Sequence, residues 1–123
     1  MTIKVKRFHI EPMGKPRMTQ RDVWKKRPAV LRYRAFKDYL NDNSKGFKLP
    51  DKFTILFCVP FPKSYSKKKC KELFLKPHQE KPDVDNMLKA IMDAGIGRND
   101  DKNVYCVKMK KVWSYKPSIF IIT

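Results

Sequence analysis

The chain is poor in the side chains that hold soft metals. It has two histidines, His9 and His78, and three cysteines, Cys58, Cys70 and Cys106, with no Cys-x-x-Cys pair. A structural zinc site draws four such ligands together at close spacing, so none is expected, and any metal here should be oxygen-ligated. An odd number of scattered cysteines points to reduced thiols and a cytoplasmic protein rather than a disulfide framework. No apolar run approaches the ~18 residues of a membrane span. The N-terminus lacks the apolar core of a secretion signal, so an unsecreted protein is expected.

Acid is scarce as well. Twelve Asp and Glu stand against 29 Lys and Arg, a formal net charge of +17. At that charge polyanions are the natural partners. Nucleic acid comes first, because lysine and arginine that neutralise phosphates release condensed counterions. A membrane surface fits less well, since no basic helix with a clean apolar face stands out. The 123 residues suit one domain spanning 1–123, and the 41% hydrophobic content suits one modest core.

The apolar pattern gives the elements. Residues 2–10 alternate and read as a strand; Pro12, Gly14 and Pro16 break it. A basic loop follows with Lys15, Arg17, Arg21 and Lys25, interleaved with Trp24 and, further on, Tyr33. Basic and aromatic side chains together suit phosphate contact plus stacking, whereas plain solvation would suit the charges alone. Val30, Tyr33, Phe36 and Leu40 recur at helical spacing, which predicts a helix over 28–42 opened by Pro28. Phe53 to Val59 is a nearly continuous apolar run and reads as a buried central strand. A loop with Lys67, Lys68 and Lys69 follows, with room for a short helix; it suits a backbone clamp or plain solvation equally. Leu88, Ile91 and Met92 predict a second main helix over 86–94, ended by Gly95 and Gly97. Residues 104–113 alternate between an apolar row and a row with Lys108 and Lys110. After the turn at 115–117, residues 119–122 read as a last strand forming a hairpin with its predecessor. The expected class is α+β, a mixed sheet of about four strands with two main helices.

In so basic a chain, Lys81-Pro82-Asp83-Val84-Asp85-Asn86-Met87-Leu88-Lys89 stands out. Residues i and i+2 of an extended segment point the same way, so Asp83 and Asp85 can converge on a hard cation such as magnesium. Lys89, one helical turn beyond Asp85, can meet a phosphate or hold the carboxylates. The plainer account makes Asp85 a helix N-cap, Asp83 a turn residue, and Lys89 an ion-pair partner of Asp85 or Asp93. Asp100-Asp101 is by itself an ordinary turn before a strand. Half of the chain's twelve acids nevertheless fall within residues 80–101.

The run Pro82-Asp83-Val84-Asp85-Asn86-Met87-Leu88-Lys89-Ala90-Ile91-Met92-Asp93, with Asp100-Asp101 shortly after, resembles the signature of the RusA family of Holliday junction resolvases. The Gly14-Lys15-Pro16-Arg17 loop resembles phage-type members. The resemblance implies a small homodimeric, magnesium-dependent endodeoxyribonuclease that resolves four-way DNA junctions by paired phosphodiester hydrolysis, in DNA recombination and repair. It implies that Asp83, Asp85 and Asp101 are the essential, metal-ligating carboxylates, with Asp100 the neighbour that could stand in for Asp101. Lys89 matches the functional lysine. Asn86 and Asp93 match motif positions of mainly structural role. Two rivals remain at this level: a non-catalytic basic nucleic-acid binder, and a less selective nuclease of branched DNA.

Overall fold

The structure is a computed structural model that describes residues 3–17, 27–97 and 102–123. Its centre is β2 (Lys52–Pro60), where Phe53, Ile55, Phe57 and Val59 are buried on one face. Such a run needs neighbours on both sides, and it has them. The sheet order is β1 (Val5–Phe8), β4 (Ser118–Ile122), β2, β3 (Cys106–Ser114). β3 runs parallel to β2 from Lys52↔Cys106 to Pro60↔Ser114. β4 runs antiparallel to both β2 and β1.

The expected hairpin of the last two strands does not form. The turn after Ser114 carries the chain past the end of β2, and β4 pairs on the far side of that strand. Burial explains the choice. Between β1 and β2 the side chains of Ile119 and Ile121 are fully buried, whereas an edge position would leave them half open. β3, with exposed Lys108 and Lys110, tolerates the edge. That edge is partly covered by the segment at 75–78. Leu75 N–H donates to Trp113 O (2.9 Å), Trp113 N–H to Lys76 O (3.1 Å) and His78 N–H to Lys111 O (3.0 Å).

Two long helices cover one face of the sheet. In α1 (Pro28–Asp42) Val30, Tyr33, Phe36 and Leu40 are buried, as their spacing predicts, with Pro in the first turn. The remaining helices are α2 (Lys67–Leu73) and α3 (Val84–Ala94). α3 buries Met87, Ala90 and Ile91 and packs against α1 and β3. Each fully buried aliphatic or aromatic side chain of this layer contributes roughly 1.5–3 kcal/mol. Gly95 ends α3 at φ 82°, left-handed backbone that favours glycine. The crossover from β2 to β3 contains both α2 and α3, which is the length a parallel connection requires.

α2 buries no residue of its own. Ser66 caps it, accepting from Lys69 N–H at 3.1 Å. An aromatic cluster flanks it: Phe61 stacks on Trp113 with centroids 5.6 Å apart, and Phe74 meets Tyr115 at 5.1 Å. The short helix is thus a platform for exposed Lys67, Lys68 and Lys69, seated beside the edge of β3.

Candidate active site

The acidic stretch opens α3. The helix starts at Val84, two residues before the expected 86, because Asp83 is the extended N-cap residue (φ −64°, ψ 147°) and Asp85 lies in the first turn. Asp85 is therefore not the cap. Nor does Asp83 behave as one, since its side chain makes no capping hydrogen bond. An N-cap aspartate ordinarily accepts from the N–H groups of the first turn. Here the carboxylate is left exposed, as is that of Asp85. Among the described residues neither carboxylate has an ion-pair or hydrogen-bond partner. Because Asp85 is helical, the extended i, i+2 alignment expected to point the two carboxylates the same way does not hold; what the helix start offers is two free carboxylates as hard, oxygen-only donors. Magnesium is commonly held by one or two carboxylates, with waters and substrate phosphate completing the shell, so these residues fit it. Among the described residues no three His, Cys, Asp or Glu side chains form a metal cluster. Asp100 and Asp101 lie outside the described residues.

The Gly14-Lys15-Pro16-Arg17 loop docks on the same helix start. Asn86 Nδ2 donates to Lys15 O at 3.2 Å, and Lys15 N–H to Asn86 O at 3.4 Å. A Cβ on Gly14 would fall 2.4 Å from Asn86 Nδ2 and 3.1 Å from Pro82 Cβ. Close approach, rather than backbone twist, is what requires glycine there. Two stretches about 70 residues apart in sequence are thereby joined, with Lys15 brought beside α3.

Asp93 locks the other end. Tyr33 Oη donates to its Oδ2 at 2.6 Å, Lys37 Nζ sits 3.4 Å from the same oxygen, and Lys15 Nζ lies 3.7 Å from Oδ1. α1, α3 and the basic loop meet on one carboxylate. Burial works against its ionisation, but the Tyr33 hydroxyl and the two ammonium groups outweigh it and hold the Asp93 pKa below the usual value. Burial, then the adjoining carboxylate, pushes the Tyr33 hydroxyl well above its ordinary pKa. A carboxylate whose folded pKa is depressed adds stability above its unfolded pKa, about 3.9, and loses it as pH falls through the folded value. Asp93 is 35% exposed, which weakens each contact. Tyr33→Phe should therefore cost about 1–2 kcal/mol at pH 7. The difference from wild type should shrink below about pH 4 as Asp93 protonates. Urea unfolding at both pH values checks it.

Lys89 is exposed and pairs with neither Asp85 nor Asp93. The ion pairs of Asp93 come from Lys15 and Lys37 instead. Of the expected DNA contacts, Lys15 is half-buried, Arg17 is exposed, and Lys67 to Lys69 are exposed on α2 with Lys69 Nζ 3.8 Å from the Tyr65 ring centroid. Arg21 and Lys25 lie outside the described residues.

One member of the site was not singled out in the sequence. Lys111 Nζ donates to the carbonyls of Pro82 (2.7 Å) and Glu80, just before Asp83. Its signal was there: Lys111 falls on the apolar row of its strand, between Met109 and Trp113. A lysine out of phase with an alternating pattern asks for a partner.

Among the described residues no helix is long and apolar enough to cross a membrane. No curated protein matches the chain. The family model described as "Endodeoxyribonuclease RusA" matches residues 9–122, which takes in every described element after β1. The chain belongs to the RusA family, and is thereby an endodeoxyribonuclease that hydrolyses phosphodiester bonds in Holliday junctions.

Proposed function

We propose that the start of α3 is the metal-dependent hydrolytic centre of this resolvase, with Asp83, Asp85 and Asp101 as magnesium ligands. The observation that carries it is the pair of exposed carboxylates at Asp83 and Asp85, unpartnered among the described residues, in a chain of net charge +17. Exposed carboxylates that no lysine of so basic a chain takes up among the described residues leave their oxygens open to a hard cation. A bound magnesium ion supplies Lewis-acid charge at the scissile phosphate and lowers the pKa of a water. The chain's residues do the rest. Asp83 and Asp85 would hold the ion at the helix start, and Lys89, without a carboxylate partner among the described residues, would face the phosphate charge that grows in the transition state. Lys15 and Arg17 with Arg21 and Lys25, and Lys67, Lys68 and Lys69 on α2, grip the flanking backbones.

The whole chain, 1–123, acts as one endonuclease domain in a cytoplasmic homodimer. A two-fold enzyme presents two such centres to the two opposed strands of a four-way junction, so that paired incisions resolve it in recombination and repair. The test is a magnesium titration on a synthetic four-way junction, a three-way junction and a linear duplex. The four-way junction should be cut in magnesium and not in chelator, and faster than the other two. Equal rates on the two junctions, both above that on the duplex, would favour a general branched-DNA nuclease.

A further inference from the structure

We infer that Lys111 is a positioning residue for the metal centre, fixing the backbone that carries Asp83. The inference rests on the proposed role of that aspartate. Lys111 lies in β3, in register with Phe57 of the central strand. It holds both ends of the segment before Asp83. Its carbonyl accepts from His78 N–H at 3.0 Å, and its ammonium donates to the carbonyls of Glu80 and of Pro82, the latter at 2.7 Å. Pro82 is packed from a second side by Gly14, where an added Cβ would come within 3.1 Å.

The Pro82 carbonyl belongs to the peptide that continues into Asp83, so holding it sets the orientation of the Asp83 backbone. That matters because the Asp83 side chain makes no capping bond to steady itself. With the side chain unanchored, the backbone is what aims the carboxylate. The arrangement also explains why a lysine occupies the helix-facing row of β3, where an apolar residue would avoid desolvation. With its donors directed at two carbonyls, Lys111 is distinguished from Lys89, whose ammonium is unpartnered among the described residues.

The test compares wild type, Lys111→Met, Lys111→Gln and Lys111→Arg as full chains. Manganese binding without DNA is measured by calorimetry, amide hydrogen exchange over 78–87 by mass spectrometry, and junction binding in chelator by gel shift. Loss of a side chain that orients a metal ligand typically weakens metal binding tenfold or more. Lys111→Met and Lys111→Gln should weaken manganese binding by about tenfold, with faster exchange confined to 78–87 and junction affinity kept within about twofold. Lys111→Arg, which can still donate to two carbonyls, should restore most of the metal affinity. Wild-type manganese affinity in folded Lys111→Met or Lys111→Gln would overturn the inference. So would unfolding of both, which would place Lys111 in the fold rather than the site. A wild-type chain that binds no manganese would instead overturn the metal reading of the aspartates, and the inference with it.

Discussion

Asp85→Asn should reduce cleavage of a four-way junction by at least about a hundredfold while leaving junction binding within about twofold. Removing one preorganised charge-stabilising group from an active site typically costs 10²–10³ in rate. An anionic metal ligand should cost no less, because a neutral amide replaces a carboxylate in a shell of only a few. Binding behaves differently. It is dominated by phosphate neutralisation, and the substitution removes a negative charge from a basic protein, so affinity in chelator should hold or rise slightly. Asp85 is exposed in the first turn of α3 and has no partner among the described residues, so the substitution leaves their packing and hydrogen bonds in place. The helix gives up a favourable charge at its N-terminus, a cost of about 0.3–1 kcal/mol. Single-turnover cleavage and gel shift on the same preparation, with a melting curve, separate the outcomes. Equal loss of cleavage and binding would remove Asp85 from the chemistry and place it in DNA recognition or folding.

The second large effect concerns α2. Replacing Lys67, Lys68 and Lys69 together by alanine should weaken junction binding by on the order of ten- to a hundredfold near 0.1 M salt. Each lysine that neutralises a phosphate contributes about 0.9 to the slope of log K against log salt, so the slope should flatten by up to about 2.7. The fold should not suffer. α2 buries no residue, and its N-cap is the Ser66 hydroxyl, which the substitutions leave in place. Exposed lysines replaced by a good helix former change stability by no more than about 0.5 kcal/mol each. The triple substitution also takes the Lys69 ammonium away from the face of the Tyr65 ring. At so exposed a position that cation–π interaction is worth only about 0.5–1 kcal/mol. Binding measured across a salt series decides between clamp and solvated face. An unchanged slope would mean that the lysines of α2 never meet DNA.

What the sequence made legible followed from periodicity. Val30, Tyr33, Phe36 and Leu40 are spaced for a helix and are the buried face of α1. Phe53 to Val59 is a nearly continuous apolar run and lies in the central strand. The partner of β4 was not legible. A three-residue turn between two strands looks the same whether the chain folds straight back or passes the end of a third strand. The difference lies in the burial of Ile119 and Ile121, a property of the whole sheet.

In the site, the acidic stretch and the glycine loop were each visible as local strings. Their meeting was not, because the hydrogen bonds between Lys15 and Asn86 join residues 71 apart in sequence. The role of Asp93 as the meeting point of Tyr33, Lys37 and Lys15 was hidden for the same reason. The cap was misplaced by two residues because Asp83 and Asp85 are equally good N-cap residues by type. Lys111 is one of three nearby strand lysines, and only it falls on the apolar row.

The most direct measurement is the magnesium titration of junction cleavage by the wild-type chain. A synthetic four-way junction, incubated with enzyme in chelator, should remain intact while bound. Added magnesium should then produce two symmetrically placed incisions in opposed strands, at a rate that saturates with the ion. Cleavage that proceeds unchanged in chelator, or a junction that stays bound and uncut at every magnesium concentration, would contradict a metal-dependent centre at the start of α3.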